Sequence, residues 1–411
     1  MKKPVLRFKG FDGEWVESNV EKECDVLTGF PFPGSEILEN GIYPLLRGIN
    51  ITEGKIRHSQ EIDRFYSGNV QGLNQYRLNV NDLVIGMDGS KVGRNSAIIT
   101  ERDKDSLLVQ RIARLRNYEG KESIRYISIL INSSYFTTYV DSLKTSSAIP
   151  HISPKDIKNF SFSISPNKTE QKAIGSFFTE LDSLIEGKRV KLDKLKKLKL
   201  AYLGKMFPKK GSRVPEVRFK GFSGDWVEKR LGDIAEIVGG GTPSTTNPDF
   251  WNGDIDWFSP TEVGASVYAV HSQKKITSNG YENCSAKMLP ALRTVLFTSR
   301  AGIGDSAILK VNACTNQGFQ SLVLKDEMDV YFVYSMTTQI KEYALIHASG
   351  STFLEISGKA LGLMPILLPS PLEQQRIGAF FQNLDNLIGL QQQELDKLSN
   401  IKSACLSKMF A

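Results

Sequence analysis

Two stretches of the chain carry the same pattern of apolar and polar positions. In Glu170–Phe207, residues Ile174, Phe178, Leu181, Ile185, Leu192 and Leu195 step by four and three, with Lys188 at the skipped position. Glu373–Phe410 repeats the pattern through Ile377, Phe381, Leu384, Ile388, Leu395 and Leu398, with Gln391 skipped. An average spacing of 3.5 residues marks a coiled-coil seam and predicts one long helix in each stretch, each roughly 55 Å long at ~1.5 Å per residue. The stretches align without a gap at an offset of 203, and 20 of their 38 positions are identical. Average residue frequencies would leave about two or three matches. Both copies put a polar residue at the same seam position, where it lowers stability and fixes register and partner. Neither seam can remain in water, so the simplest solution packs the two copies against each other.

The rest of the chain repeats more loosely. Residues 4–17 and 215–228 share ten of fourteen positions at an offset of 211, including Arg-Phe-Lys-Gly-Phe and Gly-x-Trp-Val-Glu. The unit is therefore a short lead-in, a body of about 150 residues and a long helix, used twice. The shrinking offset makes the first body eight residues longer.

The bodies diverge in residues but agree in order. Early strands are predicted at 41–46 and 254–258, later apolar runs at 82–86 and 293–297, and Ser-Ala-Ile strands at 96–98 and 306–308. One helical stretch follows in each body, Ile124–Leu143 and roughly Val330–His347. A closing strand is expected near Phe160–Ser165 or Pro365–Pro369, after a joint marked by Ile152-Ser153 and Ile356-Ser357. Short strands mixed with a longer helix point to compact α/β or α+β bodies. The expected organisation is a duplicated one: a body at 1–168, a helix at 169–208, a linker and second body at 209–370, and a helix at 371–411. A duplicated frame supplies pseudo-two-fold symmetry.

The net charge is +7 and the pI about 9.0, a mild basic bias that hints at a polyanionic partner. It concentrates in Thr169–Lys210, with eleven Lys and Arg against five Asp and Glu. Lys188, Arg189, Lys191, Lys194, Lys196, Lys197 and Lys199 crowd one third of that helix, as a solvated face or as a contact for phosphates or an acidic partner. The four cysteines lie far apart and form no disulfide framework, no apolar run approaches the ~20 residues of a membrane span, and Met1-Lys2-Lys3-Pro4 has no apolar signal core. A soluble, cytoplasmic protein is expected.

Catalytic patterns are scarce. His58, His151, His271 and His347 have no metal-ligand spacing, so no metal site is expected. Gly239-Gly240-Gly241-Thr242-Pro243 lacks the Gly-Lys-Ser/Thr of a phosphate loop and reads as a tight turn. Asn247-Pro248-Asp249-Phe250 approaches the Asn-Pro-Pro-Phe motif of adenine methyltransferases, but Asp249 replaces the second proline and no cofactor glycine motif precedes it. No catalytic residue is nominated. Two bodies on a duplicated frame suit duplex DNA, where they can address two half-sites one helical turn (~34 Å) apart. A bivalent coiled-coil adaptor for proteins would use the same frame, and a self-sufficient DNA-modifying enzyme would rest on Asn247–Phe250 alone.

Nearly the whole chain resembles the DNA specificity subunits of type I restriction–modification systems. The resemblance is carried by Leu231-Gly232-Asp233-Ile234-Ala235-Glu236-Ile237-Val238-Gly239-Gly240-Gly241-Thr242-Pro243-Ser244, Asn247-Pro248, Trp251-Asn252-Gly253-Asp254-Ile255, Trp257, Asn316-Gln317-Gly318-Phe319 and the Glu-Gln…Ile-Gly…Phe-Phe…Leu-Asp helix signature. In the first body, Val20–Phe30, followed by Pro31 and Pro33, stands where the Leu-Gly-Asp…Gly-Gly-Gly-Thr-Pro run would be. The resemblance implies two target recognition domains, each reading half of a split, asymmetric site in double-stranded DNA, and two helical regions packed as an antiparallel coiled coil that sets the spacer. It implies a non-catalytic subunit without cofactors of its own. Two methyltransferase subunits would bring S-adenosylmethionine, and two motor-nuclease subunits would bring ATP and Mg. Direct readout favours Arg, Lys, Asn and Gln on loops, which nominates Lys91 and Arg94 in the first domain and Ser244, Lys274, Lys275, Arg300 and Gln317 in the second.

Overall fold

The computed structural model describes residues 3–89, 92–143, 151–300, 302–350 and 354–410. The chain forms two compact units, residues 1–187 with 395–411, and residues 188–394. The first long helix, Lys168–Lys205, starts in the first unit and ends in the second; the other, Pro371–Met409, starts in the second and ends in the first.

In the first unit, an antiparallel sheet is ordered Cys24–Thr28, Ile112–Asn117, Leu83–Gly86, Ser96–Ile98. A second sheet runs Leu107–Leu108, Tyr43–Leu46, Arg64–Tyr66, Ile37–Leu38, and its first pair is parallel. Val16–Asn19 pairs with Ser161–Ile164. The second unit has the same plan. Ala235–Gly239, Gln320–Leu324, Thr294–Phe297, Ser306–Leu309 and Tyr268–Ala269 make one sheet, and Lys274–Ile276, Trp251–Phe258 and Ala313–Thr315 the other. Val227–Arg230 pairs with Pro365–Leu368.

The expected single helices are broken. Ile124–Leu143 forms Ile124–Ile131 and Ser134–Leu143, and Val330–His347 forms Val330–Ser335 and Thr337–His347. At the first break the Ser133 hydroxyl donates to the Leu130 carbonyl at 2.6 Å and the Asn132 amide to Ser128 at 2.8 Å. Such side chains compete with the helical ladder for backbone groups. The Ile-Ser joints have a clear role. Ser153 and Ser357 cap the helices Pro154–Asn159 and Gly358–Gly362, while Ile152 and Ile356 are buried.

The repeated lead-ins fasten onto the repeated helices. Arg7 forks onto Glu170 with bonds of 2.6 and 2.8 Å, and its third nitrogen donates to the Gly13 carbonyl at 2.7 Å. Arg218 does the same to Glu373 at 2.7 and 2.8 Å and to the Gly224 carbonyl at 2.6 Å. Gly13 and Gly224 have φ of 81° and 80°, a turn conformation that favours glycine. Burial would raise the Glu170 carboxyl, but the Arg7 hydrogen bonds hold it below its ordinary range.

The repeated Lys-Met-Phe ends also reciprocate. Met409 and Phe410 sit in the core of the first unit, with the Phe410 ring 5.2 Å from Tyr126 and 5.8 Å from Phe178. Met206 and Phe207 sit in the core of the second, with the Phe207 ring 5.5 Å from Phe332 and 6.1 Å from Phe381. Leu6 donates to the Lys408 carbonyl at 2.8 Å and Val217 to that of Lys205 at 2.9 Å.

Within each unit the two helix segments run antiparallel. In the first, Lys402 pairs with Asp182 at 2.5 Å; in the second, Lys199 pairs with Asp385 at 2.6 Å and Lys188 with Glu394 at 2.5 Å. Of the seam residues, Ile174, Phe178, Leu181, Ile185, Leu192, Ile377, Phe381, Leu384 and Leu395 are buried, and Leu195, Ile388 and Leu398 are half-buried. The two polar seam residues converge, because Gln391 donates to the same Glu394 oxygen at 3.1 Å.

Candidate nucleic-acid interface

The second unit builds an exposed polar surface on the Gly-Gly-Gly-Thr-Pro loop. A Cβ at Gly240 would lie 1.9 Å from the Asn316 carbonyl oxygen, and one at Gly241 2.4 Å from the Ala286 nitrogen. Only glycine lets the loop lie against those backbones. Gly241 donates to the Thr315 carbonyl at 2.8 Å, and its own carbonyl accepts from the buried Trp257 indole at 2.8 Å. The loop is therefore held from both sides, and the residues after it are presented on a rigid base.

Thr242 donates to the Gln317 side-chain oxygen at 2.6 Å. Ser244 shares a 2.9 Å hydroxyl contact with Thr246, and its carbonyl accepts from the Trp251 indole at 3.1 Å. The Lys274 ammonium lies 5.8 Å from the centre of the Trp251 ring, which meets Trp257 edge-on at 5.2 Å. Ser244, Lys274 and Gln317 are thus gathered around one loop, and all three are exposed. Lys275 turns toward the buried carboxylate of Asp256, 3.7 Å away. Arg300 is next to Ser299, whose nitrogen donates to the Gly318 carbonyl at 2.8 Å, and its guanidinium lies 3.9 Å from Glu355. Beneath the surface Cys314 is buried, which pushes its thiol up to about 12. The Asn247 carboxamide accepts from the Asp249 nitrogen at 3.1 Å and caps the short helix Pro248–Phe250. Sequence reasoning placed Thr242 and Trp251 in the family motif but nominated neither as a contact.

The first unit places a different chemistry on the same base. Gly29 stands where Gly240 does, since a Cβ there would lie 2.1 Å from the Val109 carbonyl oxygen. After it, Phe30 and Phe32 stack edge-on at 5.0 Å, and Phe32 packs 4.7 Å from Tyr66. The altered motif therefore keeps the glycine whose side chain would collide, but the rings after it pack inward, with Phe32 and Tyr66 buried and Phe30 half-buried. Arg77 lies 5.6 Å from the ring of Tyr43. Arg94 is exposed on the turn between Leu83–Gly86 and Ser96–Ile98; Lys91 lies outside the described residues. His58 sits between carboxylates, 3.3 Å from Asp63 and 2.8 Å from Asp103. Burial opposes the charge on Asp103, but hydrogen bonds from Thr100 and His58 hold it below its ordinary value. Among the described residues, no group of three or more His, Cys, Asp or Glu is placed to hold a metal ion, and no helix is long and apolar enough to cross a membrane.

The type I restriction modification DNA specificity domain family model matches residues 13–197 and 223–400. The chain is 36% identical over 181 residues to the MjaIX type I restriction enzyme specificity subunit of Methanocaldococcus jannaschii, covering 43% of this chain and 42% of the relative. It is 32% identical over 176 residues to the EcoR124I/EcoR124II specificity subunit of Escherichia coli, covering 41% and 43%. The chain thus spans under half the length of these two relatives. The fold resembles the crystal structure of a type I restriction–modification S subunit from M. genitalium, with a TM-score of 0.66 over 100% of this chain and 99% of that one at 18% identity. With the family model matching both halves of a duplicated frame, the chain belongs to the type I restriction modification DNA specificity domain family.

Proposed function

We propose that this chain is the DNA-specificity subunit of a type I restriction–modification assembly. The observation that carries the reading is the double family match, one per body, each body bearing its own exposed loop surface on a shared helical frame. Each unit reads one half of a split, asymmetric site in double-stranded DNA, and the different chemistry of the two surfaces gives the halves different sequences. The paired helices set the spacer and dock the partners: two methyltransferase subunits carrying S-adenosylmethionine, and two motor-nuclease subunits using ATP and Mg. The chain itself is non-catalytic, in keeping with the capping role of Asn247, and works in the cytoplasm. Of the basic stretch, Lys188 and Lys199 are engaged across the helix pair, whereas Lys191, Lys194, Lys196 and Lys197 are exposed and available to DNA or a partner subunit.

Exchanging residues 1–168 for those of another specificity subunit tests this. One half of the methylated motif should change and the other persist. A change in both halves would overturn modular reading.

A further inference from the structure

Resting on that reading, we propose that Gln110 and Gln317 are equivalent base-reading residues, one in each recognition domain, each accompanied by one arginine. Backbone hydrogen bonds fix the equivalence. Val109 donates to the Leu46 carbonyl at 3.1 Å and Asn316 to that of Phe258 at 3.0 Å. Leu108 pairs with Leu46, and Thr315 with Phe258, in parallel register. Met87 donates to the Arg111 carbonyl at 3.0 Å and Ser299 to that of Gly318 at 2.8 Å; Ile152 and Ile356 in turn donate to the carbonyls of Met87 and Ser299 at 2.9 and 3.1 Å. The colliding glycines, Gly29 and Gly240, face Val109 and Asn316. Val109-Gln110-Arg111-Ile112 therefore coincides with Asn316-Gln317-Gly318-Phe319, and glutamine is the one residue type they share.

Both glutamines are exposed, so neither core requires them. Both sit on an anchored turn. Gln110 donates its backbone N–H to the Phe30 carbonyl at 2.9 Å, and the Gln317 side-chain oxygen accepts from Thr242 at 2.6 Å. Arg111 holds φ of 66°, a left-handed conformation that is costly for arginine. Its guanidinium is held 2.8 Å from Asp88. In the other domain the position equivalent to Asp88 is Arg300, which lies near Glu355. Each turn thus has an arginine near a carboxylate, Arg111 directly after Gln110 and Arg300 directly after Ser299, whose nitrogen bonds the residue after Gln317, so the two come from opposite segments. A carboxamide offers a donor and an acceptor to N7 and N6 of adenine in the major groove, and a guanidinium reaches guanine or phosphate.

The test is the methylated motif made by the full chain co-expressed with its methyltransferase subunit in a host without adenine methylation, compared for wild type, Gln110→Ala, Gln317→Ala and Gln110→Glu. Each alanine variant should lose about 10- to 100-fold discrimination at an adenine position in one half only, and in opposite halves. Gln110→Glu should move preference at its position toward cytosine, whose N4 donates to a carboxylate. Wild-type motifs from both alanine variants, or weakening spread evenly over both halves, would overturn the inference while leaving the proposed function standing. A wild-type chain that yields no split motif would remove the proposed function, and the inference with it.

Discussion

Arg7 and Arg218 show how single side chains hold a duplicated frame together. Glu170 and Glu373 have side chains 0% and 1% exposed, and each is matched by one guanidinium fork. Removing one partner of such a pair leaves a buried charge and costs about 3–5 kcal/mol. Arg7→Ala should therefore lower stability by that order in chemical denaturation, and Arg218→Ala likewise. The Glu170 carboxyl titrates below its ordinary 4.5 in the folded chain. Its contribution is complete above that value and is lost as pH falls through the lower folded value. Glu170→Gln should accordingly flatten the acid limb of the melting-temperature profile below about pH 4.5; an unchanged limb would show that this pair does not govern acid stability. The repeat of Arg-Phe-Lys-Gly-Phe was plain in the sequence, but its purpose was not. The partner glutamate lies 163 residues on in the first copy and 155 in the second, and no local rule links positions so far apart.

At the scale of elements, the long helices were legible to within a few residues, because a 3.5-residue apolar period over five turns or more has no competing explanation. Their relative direction was not readable from periodicity. Aligning a repeat with itself matches Asp182 to Asp385 and Lys199 to Lys402, whereas the ion pairs cross from the Asp of one copy to the Lys of the other. Asp385 also accepts from the Tyr331 hydroxyl at 2.8 Å. Asp385→Lys should cost on the order of 2 kcal/mol, and Lys199→Asp in the same chain should recover part of it in a double-mutant cycle. Additive losses would mean the pair is not coupled. Phe207 and Phe410 follow the C-terminal ends of the long helices and pack into the core of their own units, and each alanine substitution should cost about 3–5 kcal/mol, measured by denaturant midpoint. The first broken helix was misread because Asn132 and Ser133 can cap or interrupt equally well, and packing decides which.

For the molecule as a whole, the frame is repeated and the exposed loop surfaces are not. Frame residues recur because both units bury the same contacts: Trp15 and Trp226, Ile152 and Ile356, Gly29 and Gly240. The exposed loop positions are less constrained by packing than the core, so sequence could nominate residue types without locating them. Of the nominated residues, Ser244, Lys274 and Gln317 gather at one loop and Lys275 turns toward Asp256. Gln110 went unnoticed because its turn shares only one residue with its counterpart. A basic chain that binds duplex DNA should lose affinity steeply as salt rises. Binding that is insensitive to salt would favour the protein-adaptor alternative. The most direct measurement is the adenine methylome of a methylation-free host expressing the cognate methyltransferase subunit with and without this chain. The expected result is a split, asymmetric motif that appears only when the chain is present. No motif, with both proteins soluble and co-purifying, would contradict the assignment of sequence reading to this chain.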